Sequence, residues 1–264
     1  MTSSQTHTPR LDDLTARFDT LCQSGDHDAA VALLENATRP VGDDPQSRLL
    51  AAHAAVMLAR YCMGHARYEA GLAAADRAAE LSHGAQPLAA QAELWQALLR
   101  ETLGQELHAE RVAALAEQLV AAGCWDDAYQ AHSALALCAG DDIASCRRHT
   151  AIAIGCAESA GNYVITTRAL QHLAHQEVLH GSPRLALRNI EQALYRAQSV
   201  LLNGARLSEA QCLETAGDAH LALKDLEQAA AQYSDAVRRF TRLDQHQRAR
   251  RVQEKLDSLS GKPT

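Results

Sequence analysis

Leu213-Glu-Thr-Ala-Gly-Asp-Ala-His-Leu-Ala-Leu-Lys-Asp-Leu-Glu-Gln-Ala-Ala-Ala-Gln-Tyr-Ser-Asp-Ala236 divides into two helix-forming stretches around a short polar break. Small Gly217 stands on the first stretch, and Ala229, Tyr233 and Ala236 stand on the second. Glycine spells out the same helix–turn–helix unit along the rest of the chain. Gly25, Gly64, Gly104, Gly140 and Gly181 alternate with Gly42, Gly84, Gly123, Gly161 and Gly204, each ladder stepping roughly every 40 residues. Glycine supplies the positive φ at which a helix stops, so the alternation predicts helix, turn, helix, turn, six times over.

The predicted hairpins pair 10–23 with 27–37, 46–62 with 66–82, 87–103 with 106–122, 126–139 with 142–159, 163–180 with 183–203, and 206–222 with 226–243. A single helix over 245–259 closes the array, and residues 1–9 and 260–264 are expected to be disordered ends. Pro40, Pro45 and Pro87 fall between hairpins, and Pro183 opens a second helix, where its missing N–H costs nothing. The last helix carries Arg248, Arg250, Arg251 and Lys255 with Glu254 and Asp257, the polar outer face a terminal repeat needs.

Composition agrees. The apolar fraction is 47% but aromatics are only 4%, so alanine and leucine dominate, and the predicted class is all-α. A chain of 264 residues is long for one core, but each unit of a repeat array packs only on its neighbours, and one solenoid domain over 10–259 is expected. The net charge of −7, with both signs interleaved, argues against nucleic-acid or anionic-membrane partners. Seven scattered cysteines with no C-x-x-C read as packing thiols in a reducing compartment. With no signal peptide and no long apolar run, the expected location is the cytoplasm.

The Gly217, Ala229, Tyr233, Ala236 spacing resembles the tetratricopeptide repeat (TPR). There, a small residue on one helix faces a small residue on the next, and an aromatic fills the gap to the following hairpin. Ala30 with Leu34 and Ala37, and Ala174 with Ala186, Ile190 and Ala193, resemble the same pattern. Tyr61, Ala70 and Ala74 match it loosely. The third and fourth hairpins depart from it: Trp95 and Leu98-Leu99 do not share a register with Ala109, Ala113 and Ala116, and Ala144 is the best anchor in the fourth. The resemblance implies a right-handed α-solenoid superhelix. The long units are similar to those of bacterial regulatory proteins.

No phosphate-binding, dinucleotide-binding or nucleophile-elbow motif occurs, so no enzyme and no cofactor are expected. His172, His175 and His180 share one helix but lack a third ligand at matching spacing, and read as structural or groove histidines rather than metal ligands. Cys138 and Cys146, near His132 and His149, read as packing thiols rather than nucleophiles. The concentration Arg238, Arg239, Arg242, Arg248, Arg250 and Arg251 is interleaved with acids and reads as a solvated face.

The resemblance places the first helix of each hairpin on a concave groove. Tyr129 and Ser133, then Arg168, Gln171, His172 and His175, then Gln211, Glu214 and Asp218 are expected to line it and to suit an extended peptide. The chaperone-tail clamp known in the family is disfavoured, because Gln171, His172 and Thr215 stand where its lysines and asparagines would be. In the first two hairpins, Asp12, Thr15 and Asp19 flank a strip of Ala52, Ala55 and Ala59 that could take a partner helix or support a homodimer. The expected function is a non-catalytic protein- or peptide-binding scaffold. The alternatives are a regulatory sensor that reads a small ligand or signalling peptide for a partner output protein, and a metal-dependent enzyme.

Overall fold

In the computed structural model, which describes residues 11–40, 44–198 and 203–259, the described residues form thirteen α-helices and no strands. They are α1 Leu11–Ser24, α2 His27–Ala37, α3 Pro45–Gly64, α4 Tyr68–Ser82, α5 Leu88–Thr102, α6 Ala109–Ala121, α7 Trp125–Cys138, α8 Ile143–Ser159, α9 Tyr163–Leu179, α10 Pro183–Gln198, α11 Asn203–Ala222, α12 Leu226–Arg242 and α13 His246–Leu259. None is long and apolar enough to cross a membrane. Two compact units divide the chain, residues 1–127 and 128–264.

Within the first unit each helix from α1 to α6 packs on the next, and the first helices of successive hairpins also meet, α1 with α3 and α3 with α5. Within the second unit the same holds from α8 to α13, with α9 against α11. That neighbour-on-neighbour packing is the solenoid architecture.

The turns follow from local chemistry. Seven of the ladder glycines adopt positive φ, while Gly64 is the last residue of α3, Gly204 lies in the first turn of α11, and Gly42 lies outside the described residues. Ala66, His83, Lys224 and Asp244 take the left-handed conformation without being glycine. A capping side chain often follows the left-handed residue: Asp26 after Gly25, Asn162 after Gly161 and Asp225 after Lys224 each accept the N–H three residues on, at 3.2, 3.3 and 3.2 Å.

Small side chains set the interior. Ala174, Ala186, Ile190 and Ala193 join Leu170, Cys212 and Ala219 in one core, and Ala229, Tyr233, Ala236 and Phe240 join Ala249 and Val252 in the next. In the sixth hairpin the aromatic meets the following helix, with Lys255 Nζ of α13 5.7 Å from the centre of the Tyr233 ring. The Tyr233 ring lies directly on Gly217, where any Cβ would overlap it, and its hydroxyl donates to Asp218 at 2.7 Å.

Three expectations, for Ala70, for Ala144 and for the strip Ala52, Ala55 and Ala59, are corrected. Ala70 is exposed, and the close contact of the second hairpin is made one residue on, by Gly71 against Cys62 and Leu99. In the third hairpin the buried face of α6 is Val112, Leu115, Ala116 and Leu119, one step round from the alanines Ala109 and Ala113. Mostly larger residues than alanine therefore pack this face, and an alanine-based register fails. Ala144 is exposed, and Cys146, Thr150 and Ala153 provide the inner face of α8. The strip Ala52, Ala55, Ala59 is fully buried between helices, so it offers no surface to a partner helix or a second copy.

Gly217→Ala should force the Tyr233 ring out of its site and destabilise the fold by about 1–3 kcal/mol. Chemical denaturation should show it, with Gly155→Ala, which meets nothing within 4 Å and sits mid-helix, neutral or stabilising as the control.

Candidate functional site

Two faces of the molecule carry converging polar side chains, one in each unit. In the second unit, α7 contributes Tyr129 and Ser133, and α9 contributes Arg168, Gln171 and His172, to a cleft of about 190 Å³. A neighbouring cleft of about 320 Å³ takes Gln171 and His175 from α9, Gln211, Glu214 and Asp218 from α11, and Arg251 and Lys255 from α13. All nine residues singled out from the sequence therefore line one of these two openings. Tyr129 is only 3% exposed, whereas Arg168 and His175 are exposed.

Much of this polarity is already used. Buried Glu214 accepts from Arg251 Nη2 and Lys255 Nζ at 3.0 Å each. Asp218 accepts from the same Nζ at 2.8 Å and from the Tyr233 hydroxyl. Gln171 Nε2 donates to Thr215 Oγ1 at 3.2 Å, and Thr215 Oγ1 donates to the Gln211 carbonyl. Glu214 and Asp218 thus fasten α13 to α11, so removing either would loosen the last helix. Burial, followed by the hydrogen bond to Asp218 and then that carboxylate's charge, raises the Tyr233 pKa and keeps its hydroxyl a donor.

The other chemistry-bearing residues resolve similarly. Glu177 is buried and takes a bidentate pair from Arg147 Nε and Nη2, both at 2.6 Å, tying α9 to α8. Arg238, Arg239 and Arg251 pair with Asp235, Glu209 and Glu214. Among the described residues no three His, Cys, Asp or Glu side chains gather as a metal site would require. Cys146 is buried, which raises its thiol pKa, and burial pushes Cys212 up to about 12. Such thiols pack rather than attack, whereas Cys138, read from the sequence as a packing thiol, is exposed at the end of α7.

The first unit holds the larger opening, about 570 Å³, built from α1, α3, α5 and the start of α7. Its key is Asp127, fully buried in the first turn of α7. Trp95 Nε1 donates to its Oδ1 at 2.8 Å and Gln91 Nε2 to its Oδ2 at 2.6 Å, and Arg60 forms a short ion pair with the same Oδ2. Arg60 remains 34% exposed and reaches the cleft, while its Nε is buried without a partner among the described residues. His53 lies beside it, and burial and then the Arg60 charge lower its pKa. Sequence reasoning found Thr15 and Asp19 of this cleft and missed the rest. The available signal was Arg60 itself, the sole Lys, Arg, Asp or Glu between Ala51 and Gly64, which calls for a partner if its helix is buried.

In the second unit His132 and His149 stack at 5.4 Å between ring centres, with Nδ1 atoms 3.1 Å apart. Burial and then His149 push the His132 pKa down to about 4. Below the ordinary value of 6.5 the unfolded chain binds a proton that the folded chain refuses. Stability from this group is therefore full above 6.5 and is lost as pH falls toward 4. Moving from pH 7 to pH 5 should cost about 2 kcal/mol through His132. His132→Gln should flatten the pH dependence of denaturant unfolding by that amount, and an unchanged slope would refute the assignment.

No family model matches this chain, and no curated protein is significantly similar to it in sequence. Solved structures do match. BtubC (BKLC) of P. vanneervenii superposes with a TM-score of 0.65 at 15% identity, covering 88% of this chain and 92% of that one. A Rap protein, solved in complex with Competence and Sporulation Factor, superposes with a TM-score of 0.58 at 12% identity, covering 95% of this chain and 74% of that one. At these identities the likeness shows the fold: an all-helical repeat of the tetratricopeptide-like kind.

Proposed function

We propose that this chain is a non-catalytic scaffold that binds a protein or peptide segment on the first helices of its hairpins, and that the whole of 10–259 serves as one cytoplasmic binding array. The observation that carries the reading is the origin of the clefts. In the first unit the lining comes from α1, α3, α5 and α7, all first helices. In the second unit, first helices α9 and α11 supply the lining of the larger cleft together with α13. Mixed polar and apolar side chains from successive elements suit a linear partner that needs both backbone hydrogen bonds and side-chain pockets. The thiols are buried with raised pKa values at Cys62, Cys146, Cys156 and Cys212, which suits packing in a reducing compartment.

A regulatory sensor is the second reading. The first-unit cleft, at about 570 Å³, lies within the range of roughly 300–1,000 Å³ typical of small-ligand sites. The structurally similar Rap protein was solved with a bound factor.

Affinity capture from a lysate of the source cells, read by mass spectrometry, tests the scaffold. Arg168→Glu with His175→Glu changes exposed positions and leaves the Glu214 and Asp218 ion pairs in place. Specific proteins captured by the wild type and lost with this variant, or with Met57→Glu in the first unit, are the expected result. An identical set of proteins from all three chains would refute binding at either face.

A further inference from the structure

The first-unit cleft is electrostatically lopsided in a way that selects a partner. Arg60 is the one guanidinium among the described residues that line it, and that charge is met by buried Asp127. Burial and then the Arg60 charge lower the His53 pKa, which favours its neutral form. What remains is acidic: Asp19 on α1 and Asp126 at the start of α7 both line the opening, both are exposed, and neither has an ion-pair partner among the described residues. Between them the wall is apolar, from Leu11, Phe18, Val56 and Met57. Phe18 meets the Tyr61 ring edge-on at 5.6 Å, so aromatic surface lies within the same cavity as the two carboxylates.

Hydrogen-bonding capacity is also left over. The Gln91 amide nitrogen is committed to Asp127, which leaves its carbonyl oxygen as an acceptor. His53 makes no hydrogen bond among the described residues, and a neutral imidazole offers one donor and one acceptor. Thr15 Oγ1 spends its proton on the Leu11 carbonyl at 3.0 Å and keeps its acceptor capacity. Donor and acceptor groups in one small apolar opening match a peptide backbone better than a purely anionic or purely apolar ligand.

We infer that the first-unit cleft takes a basic peptide segment of a partner protein, with a bulky apolar side chain seated against Phe18, Val56 and Met57 and a lysine or arginine held between Asp19 and Asp126. The inference rests on the scaffold reading and narrows it to one site and one partner chemistry. The aromatic surface of Phe18 and Tyr61 adds cation–π attraction to the carboxylates. The chain's own charge of −7 works in the same direction, steering basic segments toward it.

The test is fluorescence anisotropy with the full chain and two short labelled peptides, one of leucine, glycine and lysine and one with glutamate in place of every lysine. The lysine peptide is expected to bind at least about tenfold more tightly than its acidic twin. Asp19→Asn with Asp126→Asn should weaken it by about tenfold, and Met57→Glu, which leaves the acids in place, should also weaken it. Glu69→Gln with Glu110→Gln, the same change in net charge at exposed positions outside the cleft, should leave it unchanged. Equal binding of the two peptides, no binding of the lysine peptide, or equal losses from the cleft and the control charge pairs would each overturn the inference. So would self-association of the chain that disappears with Asp19→Asn and Asp126→Asn, which would put a second copy in the cleft. If the peptides fail while lysate capture remains sensitive to Arg168→Glu with His175→Glu, the scaffold reading stands and this site alone is withdrawn.

Discussion

Where α11 crosses α12, the ring of Tyr233 rests on the bare Cα of Gly217 and its hydroxyl reaches Asp218 at 2.7 Å. Contacts of that closeness recur through the chain. Gly71 sits against Cys62 and Leu99, Ala174 shares a core with Ala186 and Ala193, and Ala52, Ala55 and Ala59 are sealed on α3. With so few aromatics to bury, the area removed from water comes from bringing backbones close rather than from large side chains. Each crossing therefore tolerates shrinkage poorly and growth worse. The turns inherit the constraint, because a helix can return at close range only through a sharp reversal, here a left-handed residue followed in several cases by a capping carboxylate or amide.

The same closeness decides which charges are available to a partner. Acidic side chains within the packed layers, Asp127, Glu177 and Glu214, are each met by cationic or neutral donors from another helix, as an anion removed from water requires. Acids at the open edge, Asp19 and Asp126, have no such partner among the described residues. Identical residue types thus divide into fasteners and contacts according to depth. The second-unit face is mostly fasteners, with Arg168 and His175 as its open exceptions, and the first-unit cleft retains open contacts on both rims.

Much of the architecture was legible because glycine and proline act locally. Seven ladder glycines mark real reversals, and Pro183 opens α10 as its fixed φ allows. The TPR spacing was legible in the fifth and sixth hairpins, where small residues face one another. It was illegible in the third, where Val112, Leu115 and Leu119 take the inner face of α6 in place of Ala109 and Ala113. The site was harder to read. Helical spacing indicated which side chains share a face, and so placed Gln171 with His175 and Gln211 with Glu214. It carried no information on pairing between helices, so Glu214 and Asp218 looked like groove charges when Lys255, 41 residues from Glu214, neutralises them. Arg60 and Asp127, 67 residues apart, were invisible as a pair for the same reason.

Asp127 collects Arg60, Gln91 and Trp95 from two other helices onto a single carboxylate, and the four positions differ greatly in access to water. Their freedom to drift over evolutionary time is therefore ordered. Arg60, a third exposed, can swing its guanidinium into solvent when it loses its partner. Asp127, with no exposure, cannot, and would keep a buried charge met only by the neutral donors of Gln91 and Trp95. A lineage exchanging this network for an apolar one would pass more easily by losing the aspartate first and the arginine afterwards. Among divergent relatives, chains that keep the arginine without the acid should therefore outnumber those that keep the acid without the arginine.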